Sequence, residues 1–111
     1  MTIDYVSGNV FIREGGPMRA GEVVGGHAHN FDHTTYVTHG SLLIERLVDG
    51  APVQSVTKSA GQEKNWVLIR AGAEHRLTAL EDGTIYHCIY SHRNAQGEVV
   101  MAHEGWAPAY E

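Results

Sequence analysis

The sequence predicts an all-β domain, an antiparallel barrel or sandwich, and three observations carry that prediction. Short runs of apolar, β-branched and aromatic residues recur along the chain. Glycine-containing turn signals separate them, and glycine itself is frequent, at 13 of 111 residues against a usual ~7%. No segment of helical length shows a 3.6-residue apolar period.

The elements follow in order. Residues 9–14 (NVFIRE) form an apolar-rich run that Gly15-Gly16-Pro17 is expected to end. Residues 22–24 lead into Gly25-Gly26 and the first histidines. Residues 34–39 (TTYVTH) stop at Gly40-Ser41, and residues 41–48 follow up to Asp49-Gly50, a good hairpin signal. Residues 52–57 alternate around Val53 and Val56, and residues 66–69 (WVLI) read as a buried strand. Residues 75–80 are followed by Glu81-Asp82-Gly83, a second hairpin-type turn. Residues 84–90 are the longest strand candidate, with Ile85, Tyr86, Ile89 and Tyr90. In the weakly patterned tail, residues 97–101 suit an edge strand or one lent to a partner. Residues 106–110 read as an irregular end anchored by Trp106 and Tyr110. Without repeats or linkers, residues 1–111 are taken as one domain.

Bulk properties narrow the function. An apolar fraction of 42% and a charged fraction of 19% fit an ordinary globular protein. The net charge of −5 and the lack of Lys/Arg runs argue against nucleic acid as a partner. No run of about 18 apolar residues marks a membrane span, and residues 1–16 lack the pattern of a secretory leader, so a cytoplasmic location is expected. The single Cys88 forms no internal disulfide.

Histidine is over-represented, at 8 of 111, and its placement is informative. In Gly26-His27-Ala28-His29-Asn30-Phe31-Asp32-His33, a strand would project His27 and His29 to one face. A turn through Asn30-Phe31-Asp32 would bring His33 alongside. Polar surface histidines are the plain alternative. A helix would also align His29 with His33, but Gly25-Gly26 upstream and the β-branched residues downstream argue against it.

These spacings resemble the first motif of the cupin superfamily: G, five residues, H-x-H, three or four residues, E, six residues, G. Gly21, His27, His29, His33 and Gly40 fit it throughout, with histidine in the usual glutamate slot. Ile69-Arg70-Ala71-Gly72-Ala73-Glu74-His75 resembles the centre of the second motif. Arg70 replaces its proline, Ala79 its closing asparagine, and Gly61 precedes at only an approximate spacing. The resemblance spans residues 21–79. It implies a double-stranded β-helix, the jelly-roll barrel, with one divalent metal ion on His27, His29, His33 and His75, as in the small four-histidine cupins.

Four neutral imidazoles would leave the full charge on the ion and suit Mn, Fe, Co, Ni, Cu or Zn. Tetrahedral zinc would be filled by them and serve structure, whereas an octahedral ion keeps two adjacent positions for ligands. Because cupins hold the ion inside the barrel, the open case is favoured. Alternation from the ligands sends Thr35, Val37, Leu77 and Ala79 inward, an apolar lumen without an evident acid or base. On residues 84–90 either Ile85, His87 and Ile89 or Tyr86, Cys88 and Tyr90 face it. His87 or Tyr86 is then a candidate proton-transfer group, with ordinary packing or surface roles as the alternative. Cys88 reads as a buried small hydrophobe. His39, His92 and His103 read as rim or surface groups, and Arg70 as an exposed turn residue or an anion contact.

The resemblance implies a dioxygenase-like oxidoreductase acting on a small enolisable or diketone-like molecule in the barrel. Metal-dependent isomerase or lyase chemistry is a close rival. A non-catalytic barrel, binding a small molecule or a structural ion, is the other alternative. Small cupins commonly pair, and the aromatic tail suits a homodimer.

Overall fold

A computed structural model describes residues 2–27, 32–91, 96 and 98. Nine strands make up its regular structure: β1 (Thr2–Ser7), β2 (Val10–Met18), β3 (Val23–His27), β4 (His33–His39), β5 (Ser41–Val48), β6 (Ala51–Ser59), β7 (Trp66–Ile69), β8 (His75–Ala79) and β9 (Thr84–Ser91). They form two antiparallel sheets, ordered β1-β2-β9-β4-β7 and β3-β8-β5-β6. Only β1–β2 and β5–β6 are consecutive strands paired as hairpins; every other connection passes from one sheet to the other. That is the jelly-roll arrangement expected from the sequence. Among the described residues no helix is long and apolar enough to cross a membrane.

Alternation decides which side chains fill the space between the sheets. Along β4, His33, Thr35 and Val37 are buried, and along β8 so are His75, Leu77 and Ala79. The inward residues inferred from the two histidine strands are therefore the observed ones. On β9 the open parity resolves to Thr84, Tyr86, Cys88 and Tyr90 inside. Met18, Val37, Leu42, Ile44, Ile69, Leu77, Ala79, Tyr86 and Cys88 form the apolar core. Leu42 and Val37 are wholly buried there; truncating such a side chain to alanine typically costs about 2–5 kcal/mol.

Four local readings change, the first being β7, read as buried but with Trp66 and Leu68 41% and 44% exposed. The strand expected to stop at Gly15 continues to Met18, with a register shift against β9 between Gly15 and Met18. Gly15 is there for close approach: a Cβ would lie 2.2 Å from Cζ of Tyr86, whose ring rests on the strand. The turn at Glu81-Asp82-Gly83 does not close a hairpin, because β8 and β9 lie in different sheets. Its Gly83 N–H donates to Met18 O at 2.8 Å, fastening the crossover to the end of β2. Residues 2–7 form an edge strand that composition alone did not announce; Arg13 of β2 clamps Asp4 with hydrogen bonds of 2.7 and 3.0 Å. The Asp49-Gly50 hairpin is as expected, with positive φ at both residues, 51° and 79°. The proposed strand at 97–101 and the aromatic end at 106–110 lie outside the described residues, apart from Glu98.

Candidate metal centre

The two histidine segments enter from opposite sheets and meet at one end of the barrel. β4 begins at His33 and β8 at His75, so both are first residues of inward-facing strands. Both are almost fully buried, at 2% and 4% exposure. Their ring centroids are 5.5 Å apart, with planes inclined at 56°. An imidazole bound to a metal at ~2.1 Å has its centroid about 3.2 Å from the ion, so two rings subtending 90–120° would be separated by roughly 4.6–5.6 Å. The observed separation falls in that window.

Backbone contacts fix how His75 is presented. Its Nδ1 lies 2.9 Å from Ala73 O, and because a carbonyl only accepts, Nδ1 carries the proton. A neutral His75 thus keeps its lone pair on Nε2, the form a metal requires. Nδ1 of His33 lies 3.3 Å from Thr35 Oγ1, which in turn is 3.3 Å from Cys88 Sγ. This buried polar chain runs from the candidate ligand into the core.

His27 enters through its backbone. It is the register partner of His75, across an irregularity between Gly25 and His27. Gly25 has φ of 137°, and a Cβ there would lie 2.6 Å from both Arg76 Cα and His75 O. Only glycine allows β3 to press so closely against β8 and shift its register opposite His75. His29 lies outside the described residues. Among the described residues no group of three His, Cys, Asp or Glu side chains is assembled, so His33 and His75 are the pair whose side-chain geometry is defined.

The two proton-transfer candidates separate. Tyr86 is inside, but at the level of Val37, its register partner on β4, four residues along that strand from His33. Burial, above all, raises its hydroxyl to about 12, so it is a neutral donor at ordinary pH. His87 faces outward, with Nε2 3.2 Å from Glu14 Oε2 and Nδ1 3.3 Å from Thr38 Oγ1. Cys88 is a buried thiol raised to about 11, chiefly by desolvation, which fits the expected small core residue and not a nucleophile.

A cavity of about 520 Å³ reaches His75 from the side of β5, β6 and β7. Ile44, Val67 and Ile69 line its apolar part, and Arg46, Gln54 and Arg70 its polar part. Sequence reasoning singled out Arg70 but missed Arg46 and Gln54. Their signal was available in the pairing of the 41–48 and 51–59 strands through the Asp49-Gly50 turn, which aligns them face to face.

No protein-family profile matches the chain, and no curated protein matches it in sequence. Solved structures do. KdgF from Halomonas sp. superposes with a TM-score of 0.64 at 18% identity, over 86% of this chain and 80% of that one. A cupin-2 domain containing protein from Shewanella frigidimarina gives 0.53 at 21% identity, over 81% and 80%. Bacillus subtilis oxalate decarboxylase, a protein with Mn(II) centres, gives 0.58 at 14% identity, over 90% of this chain and 30% of its own length. With its two-sheet jelly roll, inward histidine strands and these neighbours, the chain has the fold of a small cupin.

Proposed function

We propose that this barrel holds one divalent transition-metal ion on His27, His29, His33 and His75 and acts as a metal-dependent, dioxygenase-like oxidoreductase on a small organic molecule. One observation carries the reading: the buried ring of His33 lies 5.5 Å from that of His75, and His75 itself lines a cavity far larger than an ion needs. Four neutral nitrogens would leave the ion strongly Lewis acidic toward anionic oxygen donors. The protein's own residues would then do the rest. Ala73 holds His75 in the required tautomer, Ile44, Val67 and Ile69 keep the ligand's apolar part dry, and Tyr86 stays protonated deeper in the core. The Mn(II) centres of the oxalate decarboxylase neighbour make manganese the first metal to test.

A second reading, a barrel that binds its ligand without turning it over, is favoured by one specific arrangement. Neither Tyr86 nor His87 is at the cavity, so it lacks both acid–base groups suggested by the sequence. An oxygen electrode separates the two. Manganese- or iron-loaded protein given acetylacetone or a 2-oxo acid should consume O2, and His75→Ala should not. Ligand binding without oxygen consumption or product would favour the second reading.

A further inference from the structure

One row of residues crosses the four-stranded sheet at the level of the candidate metal ligands. Gln54 on β6 is the register partner of Arg46 on β5, Arg46 is the partner of His75 on β8, and His75 is the partner of His27 on β3. Direct partners in an antiparallel pair share a face, with Cβ atoms about 4.5–5.5 Å apart. Leu42 and Ile44 precede Arg46 on the inward face of β5; Arg46 is the exposed end of that face, and the buried Leu47 follows across a register shift. Arg46, Gln54 and His75 all line the same cavity.

Of the two arginines that line the cavity, Arg70 lies 3.9 Å from Asp32, whereas Arg46, like Arg19 elsewhere on the surface, has no ion pair among the described residues. The side-chain amide of Gln54 likewise has no hydrogen-bond partner among them. The one carboxylate in the lining, Glu45, is already held by Arg76 at 2.9 Å. The cavity of a protein with net charge −5 therefore presents a guanidinium that nothing in the described chain neutralises. A planar fork of N–H donors beside an amide is suited to a carboxylate.

The structure assigns Arg46, with Gln54, as the anchor for a carboxylate on the cavity's ligand, and we infer that the ligand class is a small carboxylate-bearing compound such as a 2-oxo acid. The anchored end would leave the remainder of the molecule toward His75. The assignment rests on the metal reading above only for that second half.

Pyruvate and its neutral amide, pyruvamide, are the probes, read by the Nε–H resonance of Arg46 in ¹⁵N-labelled protein, metal-free and loaded with zinc. In the zinc form pyruvate should move that resonance and pyruvamide should not. In Arg46→Gln, followed at backbone amides around His75, the pyruvate midpoint should rise about tenfold or more. Arg46→Lys should recover part of the affinity, while zinc content and melting temperature stay at the wild-type values. Equal midpoints in wild type and Arg46→Gln, equal binding of the two probes, or no binding of pyruvate would overturn the assignment. If the chain takes up neither zinc nor manganese, the metal reading fails by itself. The metal-free titration then decides the carboxylate site: an Arg46-dependent response to pyruvate sustains it, and none overturns it.

Discussion

The carboxylate of Asp32 accepts the N–H of Ala71 at 2.7 Å. This short bond ties the residue just before His33 to the turn that leads into His75, and so couples the two histidine segments across the sheets. Leu47 N–H donates to Glu74 O at 2.8 Å and holds the same turn from the other side. The turn into His75 is thus held on two sides, by the Asp32 side chain and by the β5 backbone.

Asp32→Ala removes the first anchor. The turn at residues 70–73 should loosen and metal affinity should fall by about tenfold, the lower end of what outer-shell partners contribute. Chelator competition reads this directly. Stoichiometry should remain that of the wild type, because no ligand is lost.

Gly15→Ala should cost about 1–3 kcal/mol, since the added methyl collides with the Tyr86 ring. In a Tyr86→Ala background the same change should cost almost nothing, because the colliding ring is gone. Urea unfolding of the four proteins gives the coupling energy. Equal costs in both backgrounds would mean the contact is not what selects glycine.

Alkaline stability follows from two buried acids. Burial raises Cys88 from 9.0 to about 11 and Tyr86 from 10.0 to about 12. Both are neutral when protonated, so folding favours the protonated form and the unfolded chain loses its protons first. Their contribution is complete below pH 9 and declines as pH rises through the 9–12 window. Cys88→Ala should remove the earlier part of that decline, between pH 9 and 11, in denaturant titrations at stepped pH.

Beside the cavity, the exposed margin of β6 and β7 bears Val53 and Trp66, 55% and 41% exposed. Bare apolar edges of this kind invite pairing. We expect a homodimer using this margin, with twice the chain mass by light scattering. Trp66→Glu should yield monomers, and a wild-type monomer would refute the expectation.

Much of this architecture was legible in the residues. Alternation outward from His33 and His75 gives the inward faces of β4 and β8 correctly, because in a two-sheet core one face of each strand is buried. Asp49-Gly50 marks its hairpin because both residues must adopt positive φ. What was not legible depends on partners distant in the chain. Gly15-Gly16-Pro17 carries ordinary turn chemistry, and the reason for its glycines, the close approach of Tyr86 and Thr84 from β9, is distant in the chain. The parity of β9 was open because His87 and Tyr86 are equally plausible inside; the Glu14 and Thr38 contacts outside decide for His87. Arg46 looked like any surface charge until its register with His75 was known.

The four-histidine site is tested by elemental analysis of tag-free protein, purified without a metal column, for wild type, His33→Ala and His75→Ala. Close to one Mn, Fe, Co, Ni, Cu or Zn ion per wild-type chain is expected, and loss of that ion in both variants, which remain folded by circular dichroism. No metal in the wild type, or an ion that survives both substitutions, would contradict that site.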